Sequence, residues 1–81
     1  MRPYFIWDYD LNEKQLHSIL HGNNETEKLW LMTRIMTHAK FEDIWKYLKV
    51  EDIVKVFKKL RLPPKIKQNW QYTLNIWGYH V

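Results

Sequence analysis

The stretch ETEKLWLMTRIMTHA, residues 25–39, decides the fold class of this chain. Its apolar side chains recur at helical spacing and form one stripe, made of Leu29, Met32, Ile35, Met36 and Ala39. Asn24 stands just before the stretch as a preferred N-cap residue, and Glu27 follows it at the position of a capping-box acid. The pattern therefore predicts an amphipathic helix that buries this stripe against its neighbours.

The segments on either side predict further short helices. Helix one is expected over 11–21, with Asp10 and Glu13 as its capping box and Gly22 as its left-handed C-terminal residue. Two helices over 41–48 and 51–60 follow the central one, and the Pro63-Pro64 pair starts a fifth that runs to Trp77 and ends at Gly78. The expected inward side chains are Leu11, Leu16, Ile19, Leu20, Phe41, Ile44, Trp45, Leu48, Ile53, Val54, Phe57, Leu60, Ile66, Trp70, Leu74 and Trp77. The sequence predicts an all-α fold, a small single domain of four to five short helices over 11–81.

The first ten residues show a different pattern. Phe5, Trp7 and Tyr9 alternate onto one side, which is typical of an extended segment, and Pro3 favours an extended start. We therefore expect residues 1–10 to form an extended aromatic N-terminal arm. The three rings pack on their own domain, form a surface for a protein partner or serve as a base-stacking platform, and packing is the favoured interpretation. The sequence leaves open whether the arm docks on its own domain.

The composition excludes many kinds of chemistry. The chain has 81 residues, no cysteine, two glycines and one serine, Ser18. Phosphate-binding loops need clustered glycines, and thiol nucleophiles need cysteine, so we expect no enzyme and no cofactor. No run of 18 apolar residues and no signal-peptide pattern occurs, so we expect no membrane association, and the lack of cysteine fits a reducing cytoplasm.

Charge is divided unevenly along the chain. Up to Asp52 there are nine acids and seven bases, a net of −2, and from Ile53 onward there is no acid at all. The last third carries six bases, a net of +6, and these are Lys55, Lys58, Lys59, Arg61, Lys65 and Lys67. Such a basic segment predicts an anionic partner, either an acidic protein surface or a nucleic acid.

Residues 41–60 also fit a degenerate helix-turn-helix, the basis of an alternative nucleic-acid-binding function. Ile44, Leu48, Val50 and Val56 occupy suitable hydrophobic positions. Trp45 is bulky where the two helices would cross, however, and Lys49 occupies a turn that prefers glycine. The second helix also begins with Glu51 and Asp52, which would repel phosphates.

Two groups of polar residues have the spacing of chemical sites. Glu13, His17 and His21 lie on one face of helix one, as zinc ligands could, and Asp8 and Asp10 could act as an acid and base pair or hold Mg²⁺. The histidines are better explained as surface or boundary residues. Capping explains Asp10, and local hydrogen bonds explain Asp8. We expect no metal site.

Short motifs resemble a family of small, largely uncharacterised prokaryotic helical proteins with an N-terminal F-W-D-x-D signature. Trp7-Asp8-x-Asp10 matches that signature directly, while Ile6 separates Phe5 from Trp7. Residues 34–36 leading into 41–44 resemble the family's helix and x-E-D turn, and Asn69-Trp70 resembles its late N-F/W element. Members are often encoded beside AbiEii-class nucleotidyltransferase toxins, so the resemblance implies an antitoxin or regulatory role.

These observations together predict a small, non-catalytic protein-interaction module. Its contact residues are expected to be Phe5, Trp7 and Tyr9, with the basic segment meeting an acidic partner. The oligomeric state stays open.

Overall fold

A computed structural model describes residues 3–81 of the chain. In that range the secondary structure is entirely helical, which confirms the predicted all-α class. There are five α-helices: α1 (Glu13–Leu20), α2 (Glu25–His38), α3 (Phe41–Ile44), α4 (Val50–Val56) and α5 (Pro64–Ile76). Two single turns of 3-10 helix, Tyr4–Ile6 and Phe57–Lys59, precede α1 and follow α4.

Helix α1 begins two residues later than the sequence predicts, because a different side chain caps it. The Asn12 side chain accepts a hydrogen bond from the Gln15 amide at 2.9 Å, and the Gln15 side chain accepts one from the Asn12 amide at 2.8 Å. This reciprocal pair is a capping box, so the predicted box of Asp10 and Glu13 was wrong. Gly22 does not have a positive φ, so its predicted left-handed role was wrong as well.

Helix α2 is the central element and follows its sequence prediction closely. Asn24 caps it by accepting a hydrogen bond from the Glu27 amide at 3.1 Å, as predicted. Its buried side chains are Leu31, Met32, Ile35 and Met36, while Leu29 and Ala39 pack at the edge of the core. The stripe is therefore the predicted one with Leu31 added, and α1 packs against it.

The predicted helices over 41–48 and 51–60 are both shorter in the structure. Helix α3 is one turn, and α4 gives way to 3-10 helix at Phe57. Neither Lys40 nor Lys49, their N-cap residues, makes a side-chain capping hydrogen bond. Both helices nevertheless begin within one residue of the prediction, so they are shortened at their C-terminal ends. After α3 the Lys46 and Tyr47 amides donate to carbonyls three residues back, a tighter turn than the α-helix.

Helix α5 matches its prediction at both ends. Pro63 and Pro64 begin it, and Gly78 follows it with a φ of 94°, which L-residues other than glycine rarely adopt. Trp70 and Leu74 are buried as expected, whereas Trp77 is largely exposed, so its predicted burial was wrong.

The N-terminal segment 3–10 differs from the expected extended arm. Tyr4–Ile6 forms a 3-10 turn closed by the Ile6 amide donating to the Pro3 carbonyl at 3.1 Å. That turn moves Phe5 and Ile6 onto the inside, where both join the same core as α2 and α5. Burial of two large side chains outweighs the alternating pattern that favoured an extended strand.

This packing predicts unequal effects at two neighbouring aromatic positions. Phe5→Ala should lower the free energy of unfolding by about 3–5 kcal/mol, the usual cost of removing a buried aromatic ring. Trp7→Ala should cost only about 1 kcal/mol, because its side chain is more than half exposed and lies over the Arg34 guanidinium at the surface. Urea denaturation followed by circular dichroism measures both changes. Equal, small losses for the two variants would contradict the burial of Phe5.

Candidate functional site

Phe5 is not available to a partner. Its side chain is 1% exposed, and its ring packs edge-on against Tyr47 at 5.4 Å between centroids. The proposal of Phe5 as a protein-binding contact is therefore corrected: Phe5 is a core residue, placed there by the 3-10 turn at Tyr4–Ile6.

Trp7 and Tyr9 lie on the surface, at 58% and 44% exposure, and both pack on their own domain. The Arg34 guanidinium carbon lies 4.4 Å from the centre of the Trp7 ring and 5.6 Å from that of Tyr9. Trp7 also meets His38 edge-on at 5.0 Å between centroids, and Tyr9 meets Trp30 at 4.9 Å. Their own domain thus already covers about half of each of these two residues.

Arg34 explains the position of this segment. Its Nε donates a hydrogen bond to the Phe5 carbonyl at 3.2 Å, and its Nη2 forms an ion pair with Asp8. Asp8 therefore has a structural partner. Asp8, considered above with Asp10 as an acid and base, is thus held in an ion pair with Arg34.

The basic segment does not form one compact patch. Lys59 Nζ lies 3.0 Å from Glu25 Oε1 at the start of α2, and Arg61 lies in a groove beside Arg34 and His38 near the end of α2. Lys55 lines a different cavity, between α1, α2 and α4. All six predicted bases are exposed, and they are distributed over α4, the 3-10 turn after it, the link to α5 and the first turn of α5.

Lys65 and Lys67 point to different sides of α5. Residues two positions apart in the sequence lie about 200° apart around a helix, so Lys65 and Lys67 cannot converge on one anion. Pro63 and Pro64 also lack amide hydrogens, which removes two of the four free donors that a helix N-terminus normally presents. The N-terminus of α5 is therefore a poor anion site.

The predicted helix-turn-helix is not supported by the element lengths. The expected first helix, 41–48, is reduced to α3, a four-residue turn, and the expected recognition helix, 51–60, is reduced to the seven residues of α4. Glu51 and Asp52 occupy the first turn of α4 and are exposed. A base-reading helix would present its N-terminal residues to the groove, and here these are acids.

The histidines of α1 are placed as surface residues. The rings of His17 and His21 are stacked at 6.3 Å between centroids, and His17 also stacks on Tyr47 at 5.6 Å. Glu13 accepts a hydrogen bond from the Tyr47 hydroxyl at 2.6 Å. Within residues 3–81 no three His, Asp or Glu side chains are grouped as metal ligands would be.

Four aromatic side chains from α3, α5 and their flanks form a cluster at the surface, and we call Phe41, Trp45, Trp70 and Trp77 the aromatic cluster. Phe41 lies 5.5 Å from Trp45, 6.0 Å from Trp70 and 6.0 Å from Trp77 between ring centroids. Trp45 also contacts Trp70 at 6.0 Å and Trp77 at 5.8 Å. Every ring in the cluster thus touches at least two others.

The aromatic cluster is anchored in the core on one side and open on the other. Trp70 is buried, and its indole Nε1 donates to the Met36 carbonyl at 3.4 Å. Phe41 is 50% exposed and Trp77 is 45% exposed. A groove of about 250 Å³ adjoins the cluster between α2, α3 and α5, lined mainly by Met36, Ala39, Phe41, Ile44, Ile66 and Trp70.

Phe41 is positioned by the N-terminal segment. The Tyr4 hydroxyl accepts a hydrogen bond from the Lys40 amide at 2.6 Å and donates one to Asp43 Oδ2 at 2.7 Å. Tyr4 thereby supplies the cap that Lys40 lacks at the start of α3. The hydrogen bond from Tyr4 to Asp43, together with one from Lys46, holds the pKa of Asp43 below its usual range.

Sequence reasoning missed this surface because it assigned Phe41, Trp45 and Trp77 to the core. One signal was present, since α5 carries more apolar residues than a core-facing stripe needs: Ile66, Trp70, Tyr72, Leu74, Ile76 and Trp77. Their angular spread exceeds the roughly 100° face that packing on one neighbour requires. An excess of this kind indicates a second contact surface.

Among residues 3–81, none of the helices is long and apolar enough to cross a membrane. No protein family, curated protein or solved structure matches this chain.

The Tyr47–Glu13 hydrogen bond predicts a distinctive titration. Burial first, and then the bond to Glu13, raises the pKa of Tyr47 from 10.0 to about 12. A raised pKa means that the neutral phenol is favoured in the folded state, so the resulting stabilisation is complete below pH 10 and is lost as the pH rises toward 12. Burial also raises the pKa of Tyr4, so tyrosinate absorbance against pH should show a late-ionising component that Tyr47→Phe reduces.

Glu13→Gln provides the control for that titration. It removes the carboxylate charge and should move the late ionisation toward the ordinary tyrosine range. A folded protein in which every tyrosine ionises near pH 10 would contradict the network.

Proposed function

We propose that this chain is a non-catalytic protein-binding module whose partner docks on the aromatic cluster. The observation that carries the proposal is the half-exposed pair Phe41 and Trp77, in contact with each other and next to an apolar groove. Large contiguous apolar patches are rare on monomeric soluble proteins and often mark binding sites. Tryptophan is also among the residues that contribute most to the energy of protein interfaces.

Trp7 and Tyr9 are less suited than the aromatic cluster to bind a partner. Both rings contact Arg34, Trp7 also contacts His38, and Tyr9 also contacts Trp30. A partner docking there would therefore bury less additional area. The aromatic cluster offers Phe41 and Trp77 on a fixed base, because Trp70 ties it to α2. Pre-ordered rings lose little conformational entropy on binding.

The narrower form of the proposal is an antitoxin-like or regulatory partner of a nucleotidyltransferase-type toxin in the cytoplasm. It is supported by the resemblance of Trp7-Asp8-x-Asp10 and of residues 41–44 to the F-W-D-x-D proteins, and the lack of cysteine is compatible with that compartment. Co-expression with the product of the adjacent gene should then restore growth that this product alone inhibits. A toxin that stays active in the presence of the chain would remove the narrower form only.

The general proposal predicts that Trp77→Ala weakens partner capture. A tagged chain is cross-linked in its native host and purified, and the partner is quantified by mass spectrometry for the wild type and each variant. Loss of an interface tryptophan typically costs 2 kcal/mol or more, so we expect at least about a tenfold lower affinity. Trp77 is half-exposed, so the variant should stay folded, which a thermal melt checks.

Trp7→Ala is the matched control, since it removes a tryptophan of similar exposure outside the aromatic cluster. It should leave capture nearly unchanged. Equal capture by the wild type and Trp77→Ala, or an equal loss in both variants, would contradict docking on the cluster.

The alternative function is nucleic-acid binding through the basic segment. It is favoured by one observation: the six bases after Asp52 are all exposed, and no acid follows them in the sequence. Lys59 is already paired with Glu25, which leaves five bases as phosphate contacts.

Under this alternative, affinity should fall steeply with salt. Five neutralised phosphates of duplex DNA give a slope of log affinity against log salt of about −4 to −5. Fluorescence anisotropy with a labelled duplex and a labelled single strand measures that slope. Arg61→Ala should make it shallower by about one, whereas Lys14→Ala, on α1, should not change it. Absence of binding at low salt would end the alternative.

A further inference from the structure

Helix α5 has a flank with two large apolar side chains that stay mostly exposed within residues 3–81. At about 100° per residue, Lys65, Tyr72 and Ile76 lie within roughly 40° of one another around the helix. Tyr72 is 70% exposed and Ile76 is 64% exposed, while the buried residues of α5, Trp70 and Leu74, lie on a different side. The helix therefore presents one face to the core and a second apolar face to its surroundings.

This flank is continuous with the groove beside the aromatic cluster. Asn69 and Thr73 line the groove, and around the helix they lie between Trp70 and Ile76. No charged side chain lines the groove in the part of the chain that the structure describes. The groove and the flank together form a strip along α5, in which the polar Asn69 and Thr73 lie between the apolar groove and the exposed side chains of Tyr72 and Ile76.

At the rim of this strip, Lys65 and Lys40 stand against one acid, Glu42, outside the hydrogen bonds of Asp43. Lys65 lies on the flank itself, Lys40 adjoins Phe41, and α5 carries no acid. Of the nearby acids, Asp43 is occupied by Tyr4 and by Lys46, whose Nζ lies 3.2 Å from its Oδ1, and Glu42 is exposed next to Phe41. A partner matched to this rim has acids beside its apolar residues.

We propose that the partner inserts an acidic amphipathic helix into this strip, an inference that rests on the proposed protein-binding function. The exposed side chains Tyr72 and Ile76 are one helical turn apart, about 6 Å along the axis. A partner helix with apolar residues at i, i+4 and i+7 matches such a spacing, and an acid on its flank meets Lys65. The expected ligand is therefore a helix with apolar residues on one face and acids beside them.

Two other occupants fit less well. A symmetric second copy would bring two basic C-terminal segments together, each with a charge of +6 from Ile53 onward. Single-stranded nucleic acid binds flat, accessible rings, whereas Phe41 and Trp45 pack at 82° and Trp45 and Trp70 at 72°. The groove also lacks a lining cation for a phosphate.

The test uses a library of random 16-residue peptides displayed on phage and selected on the immobilised full chain. Enriched peptides should combine an excess of Asp and Glu with apolar residues at helical spacing. A synthetic copy of the leading peptide should bind Ile76→Glu at least about tenfold more weakly than the wild type. Ile76 is exposed, so the variant should remain folded.

Lys65→Glu and Lys67→Glu form a matched pair of charge reversals. Lys65 lies on the proposed strip and Lys67 about 200° away around the same helix. The first reversal should weaken peptide binding several-fold more than the second. Equal effects, peptides without an acidic excess, or binding that ignores Ile76→Glu would each overturn the inference, as would a selection that enriches nothing.

Failure here is distinguishable from failure of the protein-binding function. A full-length partner that is lost with Trp77→Ala but retained with Ile76→Glu and Lys65→Glu would leave the aromatic cluster as a binding surface and remove the acidic helix. A dimer in light scattering that Ile76→Glu dissociates would assign the strip to a second copy and overturn the inference.

Discussion

The contacts of Arg34 fix the N-terminal segment in place, and the core and the candidate surface both depend on that position. One guanidinium donates to the Phe5 carbonyl, pairs with Asp8 and lies over the rings of Trp7 and Tyr9. These contacts fix the N-terminal segment on α2, which brings Phe5 and Ile6 into the core. They also leave Tyr4 where its hydroxyl caps α3 and thereby orients Phe41. The candidate surface on α3 and α5 thus depends on an anchor on the neighbouring helix.

The aromatic residues of the chain serve two purposes in the structure. Phe5, Phe57 and Trp70 are buried and supply apolar area to a core that has no disulfide to support it. Phe41 and Trp77 pack on that core at their inner edges and remain half-exposed at their outer edges. A rigid ring held in this way is ready to bind, because its own domain has already ordered it.

Sequence patterns predicted the long elements and failed on the short ones. Helices α2 and α5 were predicted within a few residues, because Asn24, the Pro63-Pro64 pair and Gly78 are strong local signals. The helices expected over 41–48 and 51–60 proved shorter, because their last turns tighten into 3-10-type turns instead of continuing as α-helix. The candidate site was missed for a related reason. Periodicity identifies apolar positions on a helix, and it cannot tell which apolar face will find a neighbour.

The sequence by itself determined that this chain is helical, that α2 is its central element, and that its positive charge lies after Asp52. Those properties follow from local spacing, capping residues and charge order. Only the tertiary structure decided that Phe5 is buried while Phe41 and Trp77 are exposed, and that the six bases are dispersed. Burial is set by contacts between residues distant in sequence, such as Arg34 with Phe5 and Trp70 with Met36, which no local pattern encodes.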